Sequence, residues 1–183
     1  MKYIMILVIF LTSCTKVPPM NYYNLNIKLL SKKHYINNKT ISISYPISTK
    51  EPLGKSLYYS YSDVQLDRYN NSIWSSSLYK LLHYNISKAS NLVFRNVVDY
   101  NSLAMSDYIL ESRVEEFYHK VRPNLSLSIV TIKFILINNN SKRIIKSKRF
   151  SYQIPTTTKD ARGYVEATNK ALNRLLNDLI AWL

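Results

Sequence analysis

Glycine is nearly absent from this chain: Gly54 and Gly163 are the only two in 183 residues. That scarcity excludes a glycine-rich phosphate loop and a G-x-S-x-G nucleophile elbow, both of which need backbone that only glycine supplies. Cysteine is scarcer still. Cys14 stands alone, so the chain has no intramolecular disulfide and no thiolate metal cluster, and its fold rests on its apolar core. Acidic residues are few, 11 against 25 Lys and Arg, for a formal charge of +14. No H-x-x-x-H spacing joins His34, His83 and His119, which removes the commonest helical zinc pattern.

What the chain does have begins at its first residues. Lys2 precedes an unbroken apolar run, Tyr3 to Leu11, which leads into Leu11-Thr12-Ser13-Cys14. A spanning helix needs about 20 apolar residues, so this run is too short to anchor the chain and reads as the hydrophobic region of a signal. The small residues before Cys14 form a lipobox. Cleavage between Ser13 and Cys14 would make Cys14 the first residue of the mature protein, and its sulfur the carrier of a diacylglycerol. Each buried methylene contributes about 0.8 kcal/mol, and two or more acyl chains hold a protein stably to a bilayer. Thr15 in place of an aspartate after the cysteine favours the outer membrane. An exported protein meets phospholipid head groups, lipopolysaccharide phosphates or acidic proteins before it meets nucleic acid, so the positive charge points to those partners.

Residues 14–39 read as a lipidated tether, rich in Asn and Lys and broken by Pro18-Pro19, and residues 40–183 as one domain. Ile41 to Tyr45 alternates as a half-buried strand does. The tyrosine-rich stretches SLYYSYSD and QLDRY read as extended. A helix is expected from Ile73 to about Ser90, with Ser72 as its N-cap and Trp74, Leu78, Leu81, Leu82 and Ala89 on its apolar stripe. His83 falls on the opposite, solvated face of that helix. NLVFRNVV reads as a strand, and DYILESRVEEFYHKV as a strand with one wet face. Leu125 to Ile137 is apolar on both faces, the mark of a central strand; Asn138 to Ser141 turns it into the strand KRIIKSKRFSYQI. From about Lys159 the chain is helical to its end, with Ala161, Val165, Thr168, Leu172, Leu175, Leu176, Leu179 and Leu183 as the buried stripe and Arg162, Glu166 and Lys170 opposite. Strands, helix, strands and helix give a two-layer α+β domain, with a mixed sheet of about five strands and both helices on one face.

Catalytic chemistry finds little support. Glu111 and Glu115 share a strand face at a spacing of about 13 Å, too wide for a glycosidase pair, and Arg113 between them makes a solvated charge ladder. No histidine lies beside a serine in the chain in a way that suggests a base, no cofactor motif is present, and the protein reads as non-enzymatic. Lys142, Arg143, Lys146, Lys148 and Arg149 read as guards of a sheet edge, or as a patch for anionic lipid. Sixteen tyrosines are present, and Tyr58, Tyr59, Tyr61 and Tyr69 gather before the first helix, where rings with one apolar and one wet end suit contact with a partner.

The lipobox, the Tyr23-Asn24-Leu25 element, the tyrosine-rich segment running through QLDRYNNSIW, and the closing ALNRLLNDLIAWL with Trp182-Leu183 at its end together resemble the ABC-type transport auxiliary lipoprotein family, which includes the paraquat-inducible protein C lipoproteins. That resemblance spans most of residues 14 to 183, and its motifs are apolar patterns and aromatics, not catalytic residues. It implies a periplasmic component, anchored in the outer membrane, of an MCE-type lipid transport system. Its partners would be an MCE-domain protein and an inner-membrane ABC transporter moving phospholipid, with self-assembly into a ring as one way to dock. A second reading is a lipopolysaccharide-binding lipoprotein similar to the small subunit of the outer-membrane translocon, whose phosphates the +14 charge would suit.

Overall fold

A computed structural model describes residues 18–30, 37–48 and 50–183. The signal residues, Ser13, Cys14 and His34 lie outside the described residues. Among the described residues nine strands and two helices follow one another: β1 (Asn21–Tyr23), β2 (Asn37–Ile43), β3 (Ile47–Ser48), β4 (Ser56–Ser60), β5 (Asp67–Trp74), α1 (Leu78–Ser90), β6 (Phe94–Asp99), β7 (Tyr108–Arg122), β8 (Leu125–Asn138), β9 (Ile144–Pro155) and α2 (Ala161–Trp182). All nine strands belong to one mixed sheet, which corrects the expected count of about five. The additional strands are short ones. β1 has three residues and β3 two, too few for period-two alternation to register in a sequence.

β7 is the spine. One of its edges pairs antiparallel with β8 along its whole length, and β8 pairs in turn with β9. The other edge is shared by three strands in succession, all parallel to it: β2 at Tyr108 to Leu110, β3 at Arg113 and Val114, and β4 at His119 and Lys120. From there the sheet forks. β2 carries β6 on one branch, and β4 carries β5 and β1 on the other.

The side-chain alternation of β7 is broken once. Leu110, Ser112 and Val114 point into the core, the register shifts between Val114 and Glu116, and Phe117, His119 and Val121 then take over the inward face. A bulge adds one residue to one strand and so moves every later side chain to the opposite parity. Glu115 sits in that bulge and binds Arg149 at 2.7 Å.

β8 lies between β7 and β9, with Val130, Ile132, Phe134 and Leu136 inward and Ile129, Thr131 and Ile135 also buried on its other side. That agrees with its reading as a central strand. Asn138 to Ser141 begin the turn after it, and among the described residues the one non-glycine residue with positive φ is Lys142, at 56°. Both helices send their apolar stripes into one core with the inward residues of β2, β7, β8 and β9. α2 follows the expected stripe, from Ala161 to Leu179, with Leu183 only half-buried, and Arg162 pairs with Glu166 at 3.1 Å.

α1 begins later than expected. Ile73 and Trp74 end β5: the Trp74 N–H donates to Lys55 O at 2.7 Å and the Ser75 N–H to Tyr23 O at 2.6 Å. Ser77, not Ser72, occupies the N-cap, and its side chain makes no capping bond. Trp74 is buried all the same, at the end of a strand, where it meets Phe117 and Tyr164 edge-on at 6.3 and 6.4 Å. His83 is buried too, contrary to its assignment to a wet face. It stacks on Tyr45 at 4.3 Å, with Nε2 3.2 Å from Ile43 O and 3.4 Å from Asp99 Oδ1.

Candidate functional site

The four tyrosines singled out in the sequence part company. Tyr59, Tyr61 and Tyr69 form a ring cluster, with Tyr59 4.9 Å from Tyr69 and 5.0 Å from Tyr61. Tyr58 alternates to the other face of β4, opposite Arg68. Within the cluster Tyr61 is 59% exposed and is the ring a partner can reach. Burial raises the Tyr59 hydroxyl above the usual phenol range, with Asp67 adding to it.

Tyr69 turns inward and opens a polar chain through the core. Its hydroxyl lies 2.6 Å from His119 Nδ1, His119 Nε2 lies 2.8 Å from Ser126 Oγ, and Ser126 Oγ lies 2.6 Å from Thr156 Oγ1. One consistent proton assignment has Tyr69 donating to Nδ1, Nε2–H donating to Ser126, and Ser126 donating to Thr156. His119 is wholly buried, and that burial lowers its pKa from 6.5 to about 4, with Asp160 opposing the shift. Burial likewise raises the Tyr69 and Tyr164 hydroxyls well above the ordinary tyrosine range. A buried imidazole of this kind stays neutral at physiological pH and serves as a donor–acceptor link.

Sequence reasoning missed the His119–Ser126 pair, because the contact is made across the β7–β8 hairpin and only after the bulge turns His119 inward. The signal was available in the inward series Phe117, His119, Val121. The geometry is not that of a nucleophile and base: Ser126 Oγ is engaged by His119 and Thr156 together, and its only histidine is sealed from solvent. Among the described residues no group of three or more His, Cys, Asp or Glu is placed to hold a metal.

On the face of the sheet away from the helices, a shallow groove of about 570 Å³ is lined by Glu51, Ser60, Asp63, Glu116, Tyr118 and Lys120. Glu51 is buried with its Oε2 unpartnered. Burial raises its pKa, and Glu116 adds to the shift. Lys120, in this groove, and its neighbour Arg122 reach Asp63 at 3.6 and 2.7 Å, and Lys50 also lines the groove.

The basic run is placed mostly on an edge. β9 pairs only with β8. Lys146 Nζ lies 2.5 Å from Trp182 O and 4.8 Å from the Trp182 ring, closing the negative end of the α2 dipole. Arg149 holds Glu115, and Lys148 lies over Phe150 at 4.9 Å.

The segment before β2 has a role that its composition did not show. Leu25 and Ile27 are buried in the core, so residues 21–30 lie along the domain and do not lead away from it as a tether would. Three asparagines one helical turn apart on α2 hold this segment. The N–H groups of Asn26, Lys28 and Leu30 donate to the Oδ1 atoms of Asn169, Asn173 and Asn177 at 2.8, 2.6 and 3.1 Å. Each asparagine Nδ2 in turn donates to the carbonyl four residues earlier, on Val165, Asn169 and Asn173. The two periods match, since two residues of strand advance about 6.6 Å and four of helix about 6 Å.

The core is thus strapped and closed, its polar chain is spent on internal bonds, and a ring cluster lies at the surface. The chain belongs to the ABC-type transport auxiliary lipoprotein component family, whose profile matches residues 53–180. It is a family of transport auxiliary lipoproteins, not of enzymes, and its members are lipoproteins by description. Among solved structures, the chain is similar to protein XCC0632 from Xanthomonas campestris, with 15% identity over 88% of this chain and 94% of that one and a TM-score of 0.77. A second similar structure, described as an uncharacterized protein, shares 17% identity over 90% of this chain and 98% of its own, at a TM-score of 0.67. The hypothetical protein CT253 from Chlamydia trachomatis shares 7% identity over 79% and 95%, at 0.52. At these identities the likeness is one of fold. No curated protein sequence matches the chain. Among the described residues, no helix is long and apolar enough to cross a membrane.

Proposed function

We propose that this protein is the docking lipoprotein of an MCE-type ABC system that moves phospholipid, held at the periplasmic face of the outer membrane by a lipidated Cys14. The observation that carries this reading is the family match over residues 53–180 downstream of a lipobox in the same chain. An accessory domain without a catalytic constellation fits a component that positions a transporter and leaves the chemistry of transport to an ATPase.

Purification of the native lipoprotein from membranes tests this directly. The expected result is a mature chain starting at acylated Cys14, in outer-membrane fractions, with an MCE-domain protein and an ABC ATPase retained. An unmodified thiol behind an intact Met1 would remove the anchor. Retention of the large β-barrel lipopolysaccharide translocon in place of the MCE protein would assign the protein to that machinery.

A further inference from the structure

The loop between β6 and β7 and the turn between β8 and β9 form one end of the molecule, and among the described residues that end is apolar and uncovered. Leu103 is fully exposed, Met105 90%, Ile144 64% and Ile145 48%. The two segments are fastened to each other: Asn139 N donates to Asp107 O at 2.8 Å and Asn139 Nδ2 to Ser106 O at 2.9 Å, while Asn138 N donates to Arg143 O. Lys142 and Arg143 stand exposed immediately before Ile144 and Ile145 in the chain. The acid of this end, Asp107, is neutralised by Lys39 at 3.0 Å and by the Thr40 N–H at 2.9 Å, so its free charge is positive. Isolated exposed aliphatics are ordinary, but several together with a charged rim mark an interaction surface.

This end lies far from the point where the N-terminal segment leaves the domain. Asn21 shares a recess with Asp160, Ala161 and Arg162 at the start of α2, whereas Lys146, two residues from Ile144, caps the end of α2 at Trp182. α2 has 22 residues, so the two ends are separated by roughly 33 Å. Cys14 precedes Asn21 by seven residues, which span at most about 25 Å. That reach falls short of the uncovered end.

We propose that this distal tip, Leu103, Met105, Ile144 and Ile145 with Lys142 and Arg143 at its rim, docks a protein surface that offers an apolar pocket edged by carboxylates. The inference rests on the docking role proposed above and assigns it to one end of the domain. A protein partner fits the composition better than a second bilayer, because capture by anionic head groups typically takes a cluster of about four to eight basic residues, and among the described residues Lys142 and Arg143 are the two exposed cations in the turn at this end. The net charge of +14 steers an acidic partner toward the protein.

Full-length lipidated protein in nanodiscs, titrated with the purified MCE–ABC complex, tests the assignment. Leu103→Glu with Met105→Glu is expected to weaken binding at least tenfold, as is Lys142→Glu with Arg143→Glu. Val64→Glu is the control, since Val64 is 98% exposed and lies at the opposite end beside Asp63; it should bind as wild type does. Equal binding by wild type and both tip variants would overturn the tip while leaving the docking role intact. Failure of the wild type to bind would overturn both. Nanodiscs carrying the protein that capture phosphatidylglycerol vesicles, and lose them on Leu103→Glu with Met105→Glu, would overturn the protein partner in favour of a second membrane.

Discussion

The imidazole of His119 lies face to face with the ring of Tyr164, centroids 5.3 Å apart and planes 7° from parallel. It joins the β7–β8 hairpin to the first turns of α2. A protonated ring there would place a charge in an apolar sandwich with no carboxylate bonded to it, which is why its pKa is lowered to about 4.

That depression makes stability depend on pH in a stated direction. An unfolded chain takes up the proton near pH 6.5 and the folded one only near 4, so between those values the unfolded state binds more protons and stability falls as pH falls. The contribution is complete above about 6.5, is lost progressively down to about 4, and amounts to roughly 3 kcal/mol. Thermal unfolding followed from pH 7.5 to 4 should show this slope, and His119→Gln should flatten it. A slope unchanged by the substitution would place the acid sensitivity elsewhere.

The asparagine ladder makes a second expectation. Replacing Asn173 by Ala removes the acceptor for the Lys28 N–H and the bond to Asn169 O, at a cost of about 1 kcal/mol. The triple change at Asn169, Asn173 and Asn177 should release residues 24–30 while the sheet stays folded. Hydrogen exchange reads this at the amides of Asn26, Lys28 and Leu30, which should lose protection well before those of β8. Protection that survives the triple change would mean that Leu25 and Ile27 hold the segment by burial alone.

The i,i+4 spacing of those asparagines was visible in the sequence and carried no meaning there, because their partner is backbone, which has no side-chain signature. α2 and β8 were legible for the opposite reason: a Leu and Ala stripe, and an apolar run covered on both sides, are patterns that burial itself imposes. Trp74 misled because its spacing to Leu78 suits a helix as well as the core side of a strand's last residue, and what decided it was pairing with β1 and β4. His83 misled because its bonds reach Ile43 and Asp99, both distant in the chain. Of the tyrosines, composition indicated a cluster but not that Tyr69 would face inward, since that follows from His119, which a bulge had moved to the inner face.

Gly163 sits in the first turn of α2, where alanine would ordinarily stabilise a helix by about 1 kcal/mol. A Cβ there would press on the carbonyl oxygen of Thr158 and lie 2.5 Å from its Oγ1 and 2.7 Å from its N. These are atoms of the turn that Asp160 closes by accepting from the Gly163 N–H at 2.9 Å. Gly163→Ala should therefore lower the melting temperature, against the propensity scale. A rise would show that residues 156–160 move aside at little cost.

Tyr61 and Tyr69 separate surface from core within one ring cluster. Tyr61→Ala removes an exposed ring, and the melting temperature should change by no more than the equivalent of about 0.5 kcal/mol. Tyr69→Phe keeps the ring and deletes the hydroxyl that donates to His119 Nδ1, leaving a buried acceptor unmet at a cost of about 1–3 kcal/mol. It should also raise the His119 pKa, because the lost bond favoured the neutral imidazole, and so narrow the pH window over which stability falls and reduce the total loss. Stability measured on both variants decides the point. If Tyr69→Phe left stability unchanged, the polar chain through Ser126 and Thr156 would be passive packing, and the acid sensitivity of the fold would need another source.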